Sequence, residues 1–455
     1  MKVIIVGMGQ KGALLADLIS RDKHDVLVVD RDKDRIEDIT NRFSVSGLVG
    51  SGASKSVLDR AGAETADVII AVTPEDEVNL LICQVAKRSG TRYAMAALNQ
   101  PDIYEGRKYI KEELGIDYIV NPKQDTATEI MRDIGMPGAV DTEAFFDAAA
   151  FISVKIHEKS PMAGMGMTDV RSFFETDMLV GTVTRGGQVF IPKGDFVLAA
   201  GDTVGIFAPN ASMNQIMMKL GLIRKPIKRV FIIGGGTIAF YLAKQLLADG
   251  KSVTILESDR QRCAELLEQL PDAEIACASS ENADILREEG MEQADVCVAL
   301  TGRDDTNMVV SMFAWSLGMH SIITKLESAA YMKLMDKVNM NITVSPSSIA
   351  ADRFLRYVRN VAVYNAKGQD IKRMYRVANG LAEAFEFIAY DNFAKKGIPF
   401  KSPDFKLKKN VLIAAVIRDG RVIIPNGDST IMERDHVVVI ATKNTAFNTI
   451  NDIFN

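Results

Sequence analysis

A strand-length apolar run that ends in a glycine turn and opens into a helix occurs twice in this chain, and the repetition dictates the architecture. Near the start the residues are Lys2-Val3-Ile4-Ile5-Val6-Gly7-Met8-Gly9-Gln10-Lys11-Gly12; midway they are Arg229-Val230-Phe231-Ile232-Ile233-Gly234-Gly235-Gly236-Thr237-Ile238-Ala239. The echo continues downstream. Asp30, closing Val26-Leu27-Val28-Val29, is answered by Glu257, closing Val253-Thr254-Ile255-Leu256. Ala71-Val72-Thr73 with Asn79 is answered by Ala299-Leu300-Thr301 with Asn307. A lone glycine motif says little, but a duplicated one with an acidic partner at the right distance points to two nucleotide-sized sites.

At 455 residues the chain exceeds one core and calls for about three or four domains. In the first part, Lys2–Val6, Val26–Asp30, Ser46–Val49, Val68–Val72, Tyr93–Leu98 and Ile116–Val120 read as strands, separated by segments with apolar residues at helical spacing. Such alternation predicts a parallel, doubly wound sheet with right-handed crossovers. A helix over Thr126–Ile134 leads to a boundary near Gly135-Met136-Pro137-Gly138. Beyond it Phe151–Ile156, Leu179–Arg185, Gln188–Pro192 and Thr203–Phe207 read as a small mainly-β module with a helix around Met213–Leu220. Leu222 to Lys228, with Lys225-Pro226, reads as a hinge, after which both units recur. Gly186 to Asp195 is answered by Gly420 to Asp428, and Asp202 by Asp435, with the second small module over Phe385–Phe454. The predicted fold class is α/β: two Rossmann-like domains, 1–135 and 223–360, each followed by a small α+β domain, 136–222 and 361–455.

The glycines have distinct tasks. Gly7 makes the turn, Gly9 lets a pyrophosphate approach, and Gly12 allows close helix–strand packing, while Met8, Gln10 and Lys11 complete the helix N-terminus that faces the phosphates. A carboxylate at Asp30 accepts both ribose hydroxyls and repels a 2′-phosphate, favouring NAD or an adenosine nucleotide over NADP; Arg31 beside it weakens that preference. In the second half Gly234, Gly235, Gly236, Thr237 and Ile238 form the matching turn, Ala239 replaces the third glycine, and Glu257 replaces the aspartate. Ligands of open α/β sheets bind beyond the strand ends, which adds Ser51, Gly52, Thr73, Pro74, Glu77, Asn79 and Leu98 in the first half and Ser279, Thr301 and Asn307 in the second. Many such residues are helix caps or turn residues with no ligand.

A formal charge of −5 argues against a nucleic-acid partner. The longest apolar runs, such as Val411 to Ile417, fall far short of the ~20 residues that span a bilayer, so the chain is expected in the cytoplasm or on a cytoplasmic membrane face. Cys83, Cys263, Cys277 and Cys297 form no C-x-x-C pair and read as buried reduced thiols; His24, His157, His320 and His436 show no metal spacing. The methionine-rich stretches Met162–Met167 and Met213–Met218 read as core filler. No Ser/His/Asp set, Cys/His pair or metal cluster is legible, and the small modules offer no proton donor for a nicotinamide.

On these residues the chain resembles the peripheral NAD-binding subunits of bacterial Trk potassium-uptake systems, whose repeated unit is that of the RCK (regulator of potassium conductance) proteins. The resemblance covers essentially the whole chain and rests on Met1 to Gln10, the strand Asp67 to Thr73, Asp76 to Asn79, and the order of the four domains. It implies NAD or NADH as ligand, with ATP or ADP as further candidates. It implies a dimer or tetrameric ring peripheral to the inner face of the cell membrane, beneath a membrane potassium-translocating subunit whose conduction the nucleotide sets. Relatives often carry arginines in the strand that here reads Ala96-Ala97-Leu98-Asn99-Gln100-Pro101; the second half has Lys325 and Glu327 there. The leading expectation is a non-enzymatic, ligand-sensing regulatory subunit. The rivals are an NAD-dependent oxidoreductase with a degenerate second half and a scaffold with a structural nucleotide.

Overall fold

In the computed structural model both apolar runs are central strands, because each is flanked on both sides by other parallel strands. The structure describes every residue except 136–138, 146–147, 223–226, 320, 338–341, 368–370, 379–380, 443–446, 448 and 455. The expected boundary at Met136–Gly138, much of the expected hinge, and His320 lie outside the described residues.

The first sheet contains β1 (Lys2–Val6), β2 (Asp25–Asp30), β3 (Ser46–Val49), β4 (Val68–Ala71), β5 (Tyr93–Ala97) and β6 (Tyr118–Val120) in the order β3-β2-β1-β4-β5-β6. The second contains β7 (Ala139–Phe145), β8 (Ala149–Lys155), β9 (Leu179–Arg185), β10 (Gln188–Phe190) and β11 (Thr203–Pro209) in the order β10-β9-β11-β8-β7. The third repeats the first: β12 (Arg229–Ile233), β13 (Ser252–Glu257), β14 (Glu274–Cys277), β15 (Val296–Ala299), β16 (Ile322–Lys325) and β17 (Ile342–Val344), ordered β14-β13-β12-β15-β16-β17. The fourth repeats the second: β18 (Ile371–Val377), β19 (Ala382–Ile388), β20 (Val411–Arg418), β21 (Arg421–Ile423) and β22 (His436–Thr442), ordered β18-β19-β22-β20-β21. In each six-stranded sheet the order reverses beside the strand that carries the glycine turn, which opens a crevice there.

Local chemistry explains the helices that frame that crevice. Gln10–Arg21 buries Gly12, Leu15, Ala16 and Ile19, one face of a 3.6-residue repeat. Lys33–Arg42 starts at Asp32, whose carboxylate accepts the N–H groups of Asp34 (3.0 Å) and Arg35 (3.4 Å). Arg260–Gln269 starts the same way at Asp259, which accepts from Gln261 (2.8 Å) and Arg262 (3.2 Å).

The chain divides into two compact units that cut across its sequence halves: Met1–Ile134 with Ile227–Val358, and Gly135–Pro226 with Arg359–Asn455. In the first unit the halves exchange their last helices. Helix Pro122–Gly135 buries Ala127, Ile130 and Ile134 among Val230, Ile232, Leu242 and Leu246 of the other half. In return, helix Pro346–Lys367 brings Tyr357 into a stack on Tyr118 of β6 at 4.6 Å and Phe354 edge-on to the same ring at 6.3 Å. The sequence places Thr126–Ile134 in a helix but gives no sign that its apolar face belongs to a sheet about a hundred residues away.

In the second unit the two five-stranded sheets contribute to one core, where Phe151 and Phe207 meet Val377, Ala384, Val438 and Ile440. Each sheet carries a strand-end clamp. Asp202 takes Arg185 through two bonds of 2.7 Å and the Ala199 N–H at 2.8 Å; Asp435 takes Arg418 at 2.8 and 2.7 Å and the Met432 N–H at 2.7 Å. Burial works against the Asp202 charge, yet the Arg185 fork and the Ala199 N–H hold its carboxyl below the usual range. Three sequence expectations change. The outer strands β7 and β18 were absent from them, so the second small sheet starts at Ile371 and not Phe385. Cys277 is exposed, while Cys83, Cys263 and Cys297 are buried. Met162, Met213 and Met217 are core residues, but Met218 is 56% exposed.

Candidate nucleotide-binding sites

The first glycine turn fits the three tasks set for it. Gly7 has φ +98°, and a Cβ there would lie 2.9 Å from the Thr73 nitrogen. A Cβ at Gly12 would lie 1.9 Å from the Gly7 carbonyl oxygen, so the helix can start against the strand only without a side chain. A Cβ at Gly9 would meet no atom within 4 Å, so the space above this helix N-terminus is open. The second turn repeats this with Gly234 at φ +94° and with Gly236, where a Cβ would again meet no atom within 4 Å. Unpaired N–H groups of the first helical turn and the positive dipole end face both openings.

The acidic partners sit where a ribose would need them. Asp30 Oδ2 accepts the Met8 N–H at 2.5 Å and Oδ1 accepts the Asp32 N–H at 2.9 Å. Glu257 Oε2 accepts the Gly235 N–H at 2.6 Å and Oε1 accepts those of Ser258 and Asp259 at 2.7 and 2.8 Å. A carboxylate has about four lone-pair sites, so each keeps acceptor capacity toward the cleft.

The first cleft has a volume of about 370 Å³ and gathers Gly7, Gly9, Gln10, Lys11, Asp30, Arg31, Ser51, Gly52, Thr73 and Pro74 of the expected residues. Gly52 belongs there because a Cβ would strike Val6 Cγ1 at 2.2 Å. The second cleft, about 450 Å³, gathers Gly234, Gly236, Glu257, Ser279 and Thr301. Other expected residues support the clefts from behind. Asn79 is fully buried; its Oδ1 accepts the Thr73 N–H and hydroxyl, both at 2.8 Å, and its Nδ2 donates to the Ala97 carbonyl at 2.9 Å. Asn307 ties Thr301 to the Lys325 carbonyl in the same way. These amides are spent on holding two strand ends together, so Asn79 and Asn307 do not face a ligand. Leu98 is fully buried, Met8 and Gly12 lie under the turn, and Glu77 instead accepts from Gln100 at 3.3 Å. Gly235 is packed beneath Leu266 and Glu257, and Thr237 and Ile238 open the second helix without lining the cleft.

The clefts differ in charge. The first is lined by Lys11, Arg31 and Arg35 against Asp30 and Glu75; the second, among the described residues, by Arg303 alone against Glu257 and Glu281, with Arg303 held by Asp305 at 3.1 and 2.6 Å. Burial pushes the Lys11 ammonium below its ordinary pKa, opposed by Asp76 and Glu327 and aided by Lys123. Glu327 reaches Lys11 from the other half, whereas Lys123 reaches it from the start of helix Pro122–Gly135 in the same half. Sequence reasoning missed Arg35, which helical spacing from Asp32 could have revealed, and Ser347, which lines the first cleft from the other half and has no local signal. Among the described residues no three His, Cys, Asp or Glu side chains cluster as metal ligands, and no helix is long and apolar enough to cross a membrane.

Fold and clefts together define a duplicated, nucleotide-binding α/β protein of the Rossmann type. Comparison with known proteins agrees. The TrkA-N domain family matches residues 3–122 and 230–346, and the TrkA-C domain family matches 151–221 and 397–453. The chain is 31% identical to the Trk system potassium uptake protein TrkA of Halomonas elongata over 100% of this chain and 98% of that protein. It is 31% identical to the Trk system potassium uptake protein TrkA homolog of Archaeoglobus fulgidus over 97% of each. The chain belongs to the TrkA family. Its fold is also similar to the GsuK channel bound to NAD, with TM-score 0.62 at 16% identity over 97% of this chain and 77% of that one. The GsuK RCK domain gives the same score and identity over 97% and 92%.

Proposed function

We propose that this protein is a nucleotide-sensing regulatory subunit of a Trk-type potassium-uptake system. It binds NAD or NADH, and ATP or ADP in competition, in the clefts at Gly9 and Gly236, and it acts on a separate membrane potassium-translocating subunit from the cytoplasmic face. The observation that carries this reading is the pairing, twice in one chain, of an open glycine at a helix N-terminus with an acidic strand end. Membership of the TrkA family supplies the transport context. The protein assembles as a dimer or tetrameric ring, and a ligand that binds two ring states with different affinity shifts the population between them. No substrate is turned over. Among the described residues neither cleft is lined by a His or Cys, and the one serine hydroxyl that meets a carboxylate there, Ser258 on Glu257 at 3.3 Å, belongs to the residue next to that carboxylate in the strand-end turn.

Equilibrium titration of the purified chain with NAD, NADH, ATP and ADP, combined with solution scattering, tests this. The expected result is two nucleotides per chain and an assembly of at least two chains whose dimensions respond to ligand. A monomer indifferent to all four nucleotides overturns it. Oxidation or reduction of a small molecule at the expense of NAD(H) would establish the oxidoreductase instead.

A further inference from the structure

A cation beside a phosphate turn adds to what the helix N–H groups supply, and only the first half carries one on its own helix. Lys11 is the second residue of helix Gln10–Arg21 and lines the first cleft; its counterpart in helix Thr237–Ala248 is Ile238. The second cleft's arginine, Arg303, is already held by Asp305. Yet an ammonium stands at the second turn. Lys123 Nζ lies 3.5 Å from the hydroxyl of Thr237, the residue next to the open Gly236. Lys123 is a residue of the first half, within electrostatic reach of Lys11, and the exchanged helix Pro122–Gly135 brings its ammonium beside Thr237 of the other half.

We propose that Lys123 is the phosphate-binding cation of the second half's nucleotide site, serving in trans a turn that lacks its own. Three observations support it. The start of the helix is fixed, because Asn121 Oδ1 accepts the N–H groups of Lys123 at 3.1 Å and Gln124 at 3.0 Å. The helix flank is tied to the second half, with Asn121 within 3.5 Å of the Tyr241 hydroxyl and Gln245 donating to Thr128 at 3.3 Å. The same exchange operates in reverse: Ser347, which holds the place of Lys123 in helix Pro346–Lys367, lines the first cleft. The first cleft therefore receives a serine from the other half, and the corresponding helix end brings a lysine beside Thr237, at the edge of the second turn and outside the walls of its cleft. An ammonium has three donors, and the Thr237 hydroxyl occupies one at the long limit of a hydrogen bond. The ligand class is an adenine nucleotide with a diphosphate or longer chain, whose phosphates would lie over Gly236. This rests on the second cleft being a nucleotide site.

The test uses the full chain carrying Gly9→Val, which leaves the second site alone, with and without Lys123→Met. ADP and adenosine are titrated, and Lys123→Arg is the conservative control. ADP affinity is expected to fall about tenfold or more in Lys123→Met, as for the loss of one charge-assisted hydrogen bond, while adenosine affinity stays within about twofold and Lys123→Arg retains most ADP binding. Unchanged ADP affinity, or equal loss for ADP and adenosine, overturns the role of Lys123 while leaving the nucleotide site standing. Failure of both ligands to bind with Lys123 intact removes the site and the proposal together. Unfolding curves of the three variants identify any loss that comes from misfolding.

Discussion

Gly9 and Gly12 are three residues apart, and their substitution should have opposite consequences. At Gly12 an added Cβ sits 1.9 Å from the Gly7 oxygen, whereas ordinary contact begins at 3.4 Å, so strand and helix must separate by about 1.5 Å. Both partners are backbone and cannot rotate aside. Gly12→Ala should therefore cost about 2–3 kcal/mol, the upper part of the overpacking range. For a unit of this size that is about 4–10 °C in Tm. At Gly9 the space is empty, and Gly9→Val costs only the difference in capping, at most about 1 kcal/mol. Its isopropyl group, however, fills the approach to the helix N–H groups. Titration with NAD should give one nucleotide per chain in place of two, with Tm in the absence of ligand within about 3 °C of the parent. Gly9→Val that still binds two nucleotides, or that unfolds as readily as Gly12→Ala, would refute the division of labour between these glycines. The measurement belongs on the full chain, because helix Pro122–Gly135 loses its packing partner in an isolated first half.

Asp30→Ala should weaken NAD binding by about 1–3 kcal/mol and narrow the preference over NADP; a constant NAD/NADP affinity ratio would show that Asp30 does not contact the ribose. Asp133, whose carboxyl is pushed up to about 7 by burial and then by Glu129, is protonated in the fold where the unfolded chain, near 3.8, is charged. Its stabilisation is full below about pH 4 and lost as pH rises through 7. Asp133→Asn should thus match the parent near pH 4 and exceed it at pH 8 by on the order of 1–2 kcal/mol, allowing for partial exposure; a difference that does not vary with pH would exclude this titration. Asp202→Asn and Asp435→Asn each remove the charge from a buried carboxylate under a bidentate arginine and should cost about 1–3 kcal/mol in denaturant unfolding, with losses below about 0.5 kcal/mol refuting the clamps.

What the sequence revealed was local. The glycine turns, the acidic strand ends and the six strands of the first parallel sheet follow from patterns a few residues long, such as Val26–Asp30 or Ser46–Val49, and the second parallel sheet follows from the recurrence of the unit. What it hid was set by distance. Asn79 looks like a ligand residue because it follows a strand end, but its amide is consumed by Thr73 and Ala97, a contact defined only once β4 and β5 pair. Ser347 and Lys123 carry no motif because their roles depend on the other half. β7 and β18 went unread because polar and charged residues break up their apolar ones, as in Ala139-Val140-Asp141-Thr142-Glu143-Ala144-Phe145 and Ile371-Lys372-Arg373-Met374-Tyr375-Arg376-Val377, unlike the continuous apolar runs of β4 and β15.

The exchange of helices bears on how this chain is made. During synthesis the first parallel sheet emerges complete, but the helix that follows it, with Ala127, Ile130 and Ile134 on one face, has no surface to cover until Val230, Ile232 and Leu242 have left the ribosome. That stripe must wait exposed while the whole first small module is translated, and Tyr118 must wait longer still for Tyr357. The last steps of maturation are therefore contacts between segments made far apart in time, and a stalled or truncated nascent chain offers a sticky helix in place of a finished half.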